Sequence, residues 1–149
     1  MRILIDTNVL IDFFAKREPF IEHSAKIFEL CQQEIVEGSI AAHSIVNMSY
    51  ILRKNFSLDE LKKIFLRLCE IFYVEAINWE QIIRSIDNNT FSDFEDCLQM
   101  QCALNFKADI IVTRNIGDFK SSIIPAMTPE DFCKLFDTSK ADFKTEGEQ

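Results

Sequence analysis

Glycine is scarce in this sequence, and its scarcity excludes one large class of α/β protein. The 149 residues include three glycines, Gly38, Gly117 and Gly147. None of them belongs to a glycine-rich loop after the first predicted strand, where a dinucleotide-binding domain needs glycine so that the backbone can approach a pyrophosphate. A nucleotide-binding domain of that kind is therefore excluded.

Cysteine pairs and zinc-type histidine spacings are also missing. The five cysteines are odd in number, include no C-x-x-C pair and fall within helical apolar patterns: Cys31, Cys69, Cys97, Cys102 and Cys133. This distribution predicts buried, reduced thiols rather than a zinc site or a disulfide framework. The two histidines, His23 and His43, are isolated in the sequence, and we expect both to have structural roles.

Long hydrophobic runs and an excess of positive charge are absent as well. No apolar stretch approaches the roughly 18 to 20 residues of a membrane span, and the N-terminus lacks a signal-peptide pattern. We therefore expect a cytoplasmic protein with no membrane partner. The formal net charge of −8 argues against general electrostatic binding of nucleic acid. It leaves room for an enzyme that meets phosphates through bound cations and a few Arg or Lys residues.

Strand-like and helix-like patterns alternate along the chain. The length and an apolar fraction of 48% suit one compact domain with a sizeable core. Apolar runs predict strands at residues 1–5, 40–43, 73–76, 109–113 and 123–127, with helical periodicity between them. This alternation predicts an α/β fold with a parallel sheet and right-handed crossovers. We assign the domain to residues 1–136 and expect the polar tail at 137–149 to be mobile.

Capping signals predict where several helices begin and end. Gly38 is expected to stop a helix that starts near Phe20. Ser, Thr and Asp side chains satisfy the free amides of a first helical turn, and Glu three residues later completes a capping box. Four predicted helix starts carry such signals: Ser44, Ser57 with Glu60, Ser92 with Glu95, and Thr128 before Pro129.

Acidic residues recur where the predicted strands end. Asp6 follows the first strand, Asp118 follows the strand that ends at Thr113, and Asp93 and Asp96 lie about one turn apart at the start of a helix. Parallel strands bring such ends to one edge of the sheet, where open α/β sheets bind ligands. Carboxylates that converge there repel one another unless a cation lies between them. Oxygen ligands without His or Cys favour Mg²⁺ or Mn²⁺, which can promote phosphodiester hydrolysis.

Each acid also has a local interpretation that stays open. Asp6 is suited to cap a helix, Asp93 to enrich an acidic first turn, and Asp118 to form a turn after Gly117. Asp12 is expected to be a solvated helix residue that lies close enough to Asp6 to support it. The sequence positions alone do not choose between these roles and a shared site.

Four ordered segments together resemble the PIN domain family, which includes VapC-like ribonucleases. They are Asp6-Thr-Asn-Val-Leu-Ile-Asp12, the predicted helix at 44–54, Asp93-Phe-Glu-Asp96 and Thr113-Arg-Asn-x-x-Asp-Phe119. The resemblance covers roughly residues 1–136. It implies a three-layer α/β/α fold with a parallel sheet of four to five strands, and an Mg²⁺- or Mn²⁺-dependent endoribonuclease. Many small bacterial members are toxins of toxin–antitoxin pairs, so RNA and an antitoxin protein are the implied partners, with a homodimer left open.

The resemblance also implies roles for the acids. Asp6 is similar to the first metal ligand of the family, and Asp96 to the acid that opens its second conserved helix. Asp93 is a neighbour one turn earlier, and Asp118 follows in the last loop. We expect these four carboxylates to bind the metal and support catalysis.

Two neutral residues depart from the family pattern. Asn47 stands where the family usually has its second acid, and Asn115 where many members have a further Asp. The alternative to a nuclease is therefore a catalytically degenerate PIN-fold module that binds a protein or RNA. Asn8 and Thr113 are expected to support the site through hydrogen bonds. The candidates for contact with the RNA backbone are Arg53, Lys54, Arg114 and Lys120.

Overall fold

Strands and helices alternate along the chain, as predicted. The structure is a computed structural model that describes the backbone of residues 1–145 and the side chains of residues 1–137. The strands in this part of the chain are β1 (Arg2–Ile5), β2 (Glu37–Ala41), β3 (Tyr73–Glu75), β4 (Ile110–Val112) and β5 (Ala126–Met127). The helices are α1 (Thr7–Phe14), α2 (Ile21–Gln32), α3 (Ala42–Leu52), α4 (Leu58–Ile71), α5 (Trp79–Asp87), α6 (Phe94–Phe106) and α7 (Pro129–Thr145), with a 3-10 helix at Ile116–Phe119.

The five strands form one parallel sheet with the order β3-β2-β1-β4-β5. The first strand is central, and its last residue, Ile5, pairs with Val112 at the end of β4. Asp6 and Thr113 therefore follow two adjacent strands at the same edge, and the Asp6 amide donates to the Val112 carbonyl at 2.9 Å. The sheet thus brings both residues to the edge where ligands bind in open α/β folds.

Alternate residues of β1 face two separate apolar cores. Ile3 and Ile5 pack in a core with residues of α1, α2, α3, α4 and α7, whereas Leu4 packs with residues of α6 on the other side of the sheet. Helix α5 packs on α6. A strand that is covered on both faces is apolar throughout, which explains the continuous apolar run of β1. The predicted three-layer α/β/α fold is confirmed.

Two of the predicted helix starts are confirmed by their capping bonds. The Ser57 hydroxyl accepts from the Glu60 amide at 3.2 Å, and the Glu60 carboxylate accepts from the Ser57 amide at 2.7 Å. The Thr128 hydroxyl accepts from the Asp131 amide at 3.1 Å, directly before Pro129 begins α7. Local sequence signals suffice here because every partner lies within one turn.

The other two predicted caps were wrong. Helix α6 is capped by Asp93, whose Oδ1 accepts from the Asp96 amide at 3.0 Å, so Ser92 lies outside the helix. Helix α3 begins at Ala42, so Ser44 is already its third residue, and the Ser44 hydroxyl is buried 2.7 Å from the Thr7 hydroxyl. The contact with Thr7 of α1 therefore determines the role of Ser44. At α6, the Asp93 carboxylate takes the capping position that was predicted for Ser92.

Gly38 lies inside β2, which overturns its predicted role as a helix stop. Helix α2 ends at Gln32, and Glu34 takes the left-handed conformation that follows it, with φ of 57°. A Cβ at position 38 would lie 2.7 Å from Sγ of Cys31 and 2.8 Å from the ring of Phe72. Glycine is needed here because α2 and the segment before β3 approach the strand closely.

The cysteines are free thiols, and four of the five are buried as predicted. Cys69 is exposed on α4, so the prediction was wrong for this residue. Helix α4 is amphipathic, and Cys69 lies on its solvent-facing side. The apolar residues around Cys69 did not indicate which side it would take.

Helix α7 crosses the predicted domain boundary at residue 136, since its backbone continues to Thr145. The tail at 137–149 was expected to be mobile. Its side chains after residue 137 and its backbone after residue 145 lie outside the described residues, so this stays a prediction. No helix in the described part of the chain is long and apolar enough to cross a membrane.

Candidate metal centre

Asp6 is a buried carboxylate with both oxygens held in place. Its Oδ1 accepts from the Thr7 amide at 2.7 Å, which caps α1. Its Oδ2 accepts from the Thr113 hydroxyl at 2.7 Å and from the Asn8 side-chain amide at 3.0 Å. The Thr113 hydroxyl accepts in turn from the Asn115 amide at 3.0 Å. Asp6 therefore acts as a cap and is also fixed in orientation by the loop after β4.

Burial makes the charged form of Asp6 unfavourable. It raises the pKa of Asp6 from 3.8 to about 6, and the neighbouring charge of Glu95 adds to this, whereas the hydrogen bond from Thr113 opposes it. The hydrogen bonds around Asp6 therefore offset only part of the cost of its negative charge. A cation near Asp6 would offset the remainder.

Three acids at the start of α6 form a cluster beside Asp6. Asp93, Glu95 and Asp96 each bring one carboxylate oxygen within 4.8 Å of the others. Burial, followed by the charges of Asp93 and Glu95, raises the pKa of Asp96 from 3.8 to about 7, and the charges of Asp6 and Asp118 act in the same direction. The negative charges of the four neighbouring acids therefore all disfavour the charged form of Asp96.

Glu95 is held in the cluster by two side-chain donors. Its Oε1 lies 2.7 Å from Nε2 of His43 and accepts from Nε2 of Gln99 at 3.1 Å. Burial raises the pKa of Glu95, but the hydrogen bonds from His43 and Gln99 outweigh it, and the pKa lies below its ordinary value. Glu95 was predicted only as a capping residue and His43 as isolated, and their contact adds a second role for each of them.

Gln99 is fully buried and connects three helices beneath the cluster. Its side-chain amide donates to the Ser44 hydroxyl at 3.0 Å, to the Thr7 hydroxyl at 3.2 Å and to Glu95. These residues belong to α3, α1 and α6. These contacts tie α1 and α3 to α6 beneath the acids, while Oε1 of Gln99 has no hydrogen-bond partner among the described residues.

An open cavity of about 590 Å³ connects Asp6 with the cluster. The acids and amides that line it are Asp6, Glu95, Asp96, Asn8, Asn47 and Asn115. The structure therefore brings most of the predicted site residues together. Asp93 lies beside Asp96 in the cluster, whereas Asp118 is exposed on the 3-10 helix and does not line the cavity.

Among the predicted RNA contacts, Arg114 has a buried partner. Its Nε lies 2.6 Å from Oδ2 of Asp12, and its guanidinium lies 4.2 Å from the ring centroid of Phe20. The prediction that Asp12 is solvated was wrong, because Asp12 is fully buried. The other three candidates, Arg53, Lys54 and Lys120, are exposed and lie outside the 590 Å³ cavity, and RNA contact stays a prediction for all four.

The donor set fits a divalent cation. The carboxylates of Asp6, Asp93, Glu95 and Asp96 and the side-chain carbonyl of Asn47 are all hard oxygen donors, which Mg²⁺ and Mn²⁺ prefer. The raised pKa values of Asp6 and Asp96 show that the surrounding protein leaves negative charge only partly compensated. A divalent ion would supply the missing positive charge.

Comparison with known proteins agrees with this geometry. The sequence model of the PIN domain matches residues 2–117 of the chain. The chain belongs to the PIN domain family. Its sequence matches no curated protein, and solved structures are similar to this PIN domain in fold.

A chain in the structure of VapBC2 from Rickettsia felis bound to promoter DNA has a TM-score of 0.62 at 14% identity, over 86% of this PIN domain and 98% of that chain. A chain of a toxin–antitoxin complex from Klebsiella pneumoniae has a TM-score of 0.64 at 22% identity, over 85% of this PIN domain and 96% of that chain. A chain of FitAcB from Neisseria gonorrhoeae has a TM-score of 0.58 at 15% identity, over 86% of this PIN domain and 98% of that chain. At these identities the likeness establishes the shared fold.

Sequence reasoning missed three residues of this PIN domain that lie at the site. Glu95 was hidden by its capping-box position, and Gln99 follows it by four residues on the same helix. A polar Gln inside an otherwise apolar helix was the available signal for a buried network. Arg17 lines the cavity and follows α1, and no sequence pattern singled it out.

Proposed function

We propose that this PIN domain is a metal-dependent endoribonuclease that hydrolyses RNA phosphodiester bonds with Mg²⁺ or Mn²⁺. The observation that carries the proposal is the meeting of Asp6, Glu95 and Asp96 in one open cavity at the carboxyl edge of the parallel sheet. Family membership supports it independently. The cavity is open to solvent, so a polymer can reach the acids without entering an enclosed pocket.

Asp6 and Asp96, together with Asp93 and Glu95, would hold the ion, and Asp118 stays a predicted contributor from the adjacent loop. Such an ion supplies an activated water and charge stabilisation for hydrolysis. The Thr113 hydroxyl donates to Oδ2 of Asp6 at 2.7 Å and so orients this carboxylate. Interactions of this kind with a ligand carboxylate fix its orientation before substrate arrives.

The charge count argues against the degenerate alternative. Asn47 and Asn115 are neutral, but Glu95 extends a carboxylate into the same cavity that Asn47 lines. The site therefore has four acids, Asp6, Asp93, Glu95 and Asp96, in spite of the two amides. An inactive PIN-fold module would instead bind neither Mg²⁺ nor Mn²⁺, and its melting temperature would not respond to them.

The test is RNA cleavage by the purified protein in Mn²⁺ or Mg²⁺, with EDTA abolishing the activity. Asp6→Asn removes a carboxylate charge from the site and should lower the rate at least about 100-fold, the scale of a lost electrostatic contact in an active site. Asp87→Asn is the matched control, because Asp87 is exposed at the end of α5. Equal rates for Asp6→Asn and the unmodified protein would contradict the assignment.

We further propose that the chain is the cytoplasmic toxin of a toxin–antitoxin pair, with an antitoxin protein as its partner, and we leave a homodimer open. Similarity to chains of VapBC2, FitAcB and a Klebsiella toxin–antitoxin complex supports this. Expression of the chain should arrest bacterial growth, Asp6→Asn should not, and a short open reading frame beside the gene should restore growth. Normal growth with the active protein would contradict the toxin role.

A further inference from the structure

Arg17 is the one cationic side chain that lines the acidic cavity among the described residues. It follows α1, is exposed, and forms no ion pair with any other described residue. Arg114, by contrast, is held by Asp12. Burial raises the pKa of Asp12, and the charges of Arg114 and Arg17 both oppose this rise. The Arg17 guanidinium itself contacts no described carboxylate, and its planar donors match a phosphate oxygen pair.

Tyr50 lines the same cavity from α3 and is 66% exposed. It also lines a second cavity of about 790 Å³, and Val46 borders both cavities. Val46 and Tyr50 lie four residues apart on one face of α3, and Arg53 is the residue that follows the helix. The Arg53 guanidinium lies 4.2 Å from the Tyr50 ring centroid, which holds the ring at the junction of the two cavities.

We propose that Arg17 binds an RNA phosphate and that Tyr50 stacks on an unpaired base next to the cleavage site. This assignment rests on the proposed nuclease function. The net charge of −8 means that a phosphate needs a specific cation to enter the cavity. An exposed ring whose orientation is held by a neighbouring guanidinium is a platform for a base that has left its stack.

Arg17 is a better candidate for the phosphate contact than the exposed cations outside the acidic cavity. Lys54 and Lys120 line neither cavity, and Arg53 is engaged with the Tyr50 ring outside the acidic cavity. Arg17 and Tyr50 line one cavity together with Asp6 and Asp96. We therefore expect one RNA strand in this cavity to contact the cation, the acids and the ring.

The experiment measures the Kd of the full chain for a short unstructured RNA oligonucleotide, with Ca²⁺ in place of Mg²⁺ to limit cleavage. Tyr50→Ala should raise the Kd about fivefold or more, the scale of one stacked base, and Tyr50→Phe should leave it unchanged. Arg17→Gln should raise the Kd and reduce the slope of log Kd against log salt by roughly 0.7, as expected for one lost contact with a single strand. Arg17→Lys should restore much of that slope.

Arg84→Gln is the matched control, because Arg84 is exposed on α5 and pairs with Glu80 at 3.7 Å. An unchanged Kd and salt slope in Arg17→Gln and Tyr50→Ala would overturn the proposal and leave the face around Tyr50 to a protein partner. Absence of oligonucleotide binding by the unmodified protein would overturn it as well. Failure of the nuclease proposal is distinct, since it would appear as lack of RNA cleavage while these binding differences remain.

Discussion

Arg114 and Asp12 form a buried ion pair that fixes the loop after β4 against α1, with 2.6 Å between Nε and Oδ2. Arg114 follows Thr113, whose hydroxyl binds Asp6, and the Arg114 amide donates to Oδ1 of Asn8 at 3.3 Å. The pair therefore supports the segment that orients the central carboxylate of the site.

We predict that Arg114→Met is more destabilising than Asp12→Asn. Loss of Arg114 leaves the fully buried Asp12 without its cation and should cost about 3 to 5 kcal/mol of unfolding free energy near pH 7. Loss of the Asp12 charge should cost less, because the Arg114 side chain is 25% exposed and can reach water. Urea unfolding measures both values, and Arg84→Met, which breaks an exposed pair, is the control. Equal costs for the two variants would contradict this prediction.

The stability of the metal-free protein should depend on pH through Asp6 and Asp96. Their pKa values are raised from 3.8 to about 6 and about 7, so the folded protein binds these protons more tightly than the unfolded chain. The stability that they contribute is complete below about pH 4 and is lost as the pH rises through 6 and 7. Asp96→Asn removes one of the two groups, so in EDTA its stability relative to the unmodified protein should increase from pH 5 to pH 8.

Urea unfolding of both proteins at the two pH values gives this difference directly. Asp87→Asn serves as the control, since the exposed Asp87 lies outside the cluster. A relative stability of Asp96→Asn that falls with pH would show that repulsion and burial do not act on Asp96 in this way.

Saturating Mn²⁺ should reverse the order of stability of these two proteins at pH 8. Without metal, Asp96→Asn should melt at the higher temperature because it removes the cost of burying the Asp96 charge and its repulsion from Asp93 and Glu95. With metal, the unmodified protein gains binding free energy that the variant partly lacks, so its melting temperature should become the higher one. Melting curves that ignore Mn²⁺ in both proteins would support the inactive module instead.

Asn47→Glu should strengthen metal binding. Asn47 is half-buried in the middle of α3 and lines the cavity with Asp6 and Asp96. A charged oxygen there should tighten Mn²⁺ binding by roughly 1 to 3 kcal/mol, and its repulsion should destabilise the metal-free fold. Calorimetry measures the affinity, with Asn55→Glu at an exposed position after α3 as the control. Equal Mn²⁺ affinity in the two variants would place Asn47 outside the metal's reach.

The sequence by itself determined the order of strands and helices and the edge at which the acids meet. Apolar runs and helical periodicity are local signals, and the ends of parallel strands share one edge. Asp6 was predicted at this edge for this reason, whereas Asp93 and Asp96 were predicted from their spacing at the start of one helix. The capping box at Ser57 was also predicted correctly, since its partner lies one turn away.

Only the tertiary structure decided which polar residues are paired across the fold. Asp12 reads as a surface residue in sequence, but the loop after β4 brings Arg114 against it. Glu95 reads as a capping residue, but the packing of α3 on the same edge brings His43 to its carboxylate. Gly38 was predicted to stop a helix, but it pairs with Ile3 of β1 inside β2, and the close approach of Cys31 leaves no room for a side chain there. Each role depends on contacts between residues that are far apart in the chain, and no local pattern encodes which of them will meet.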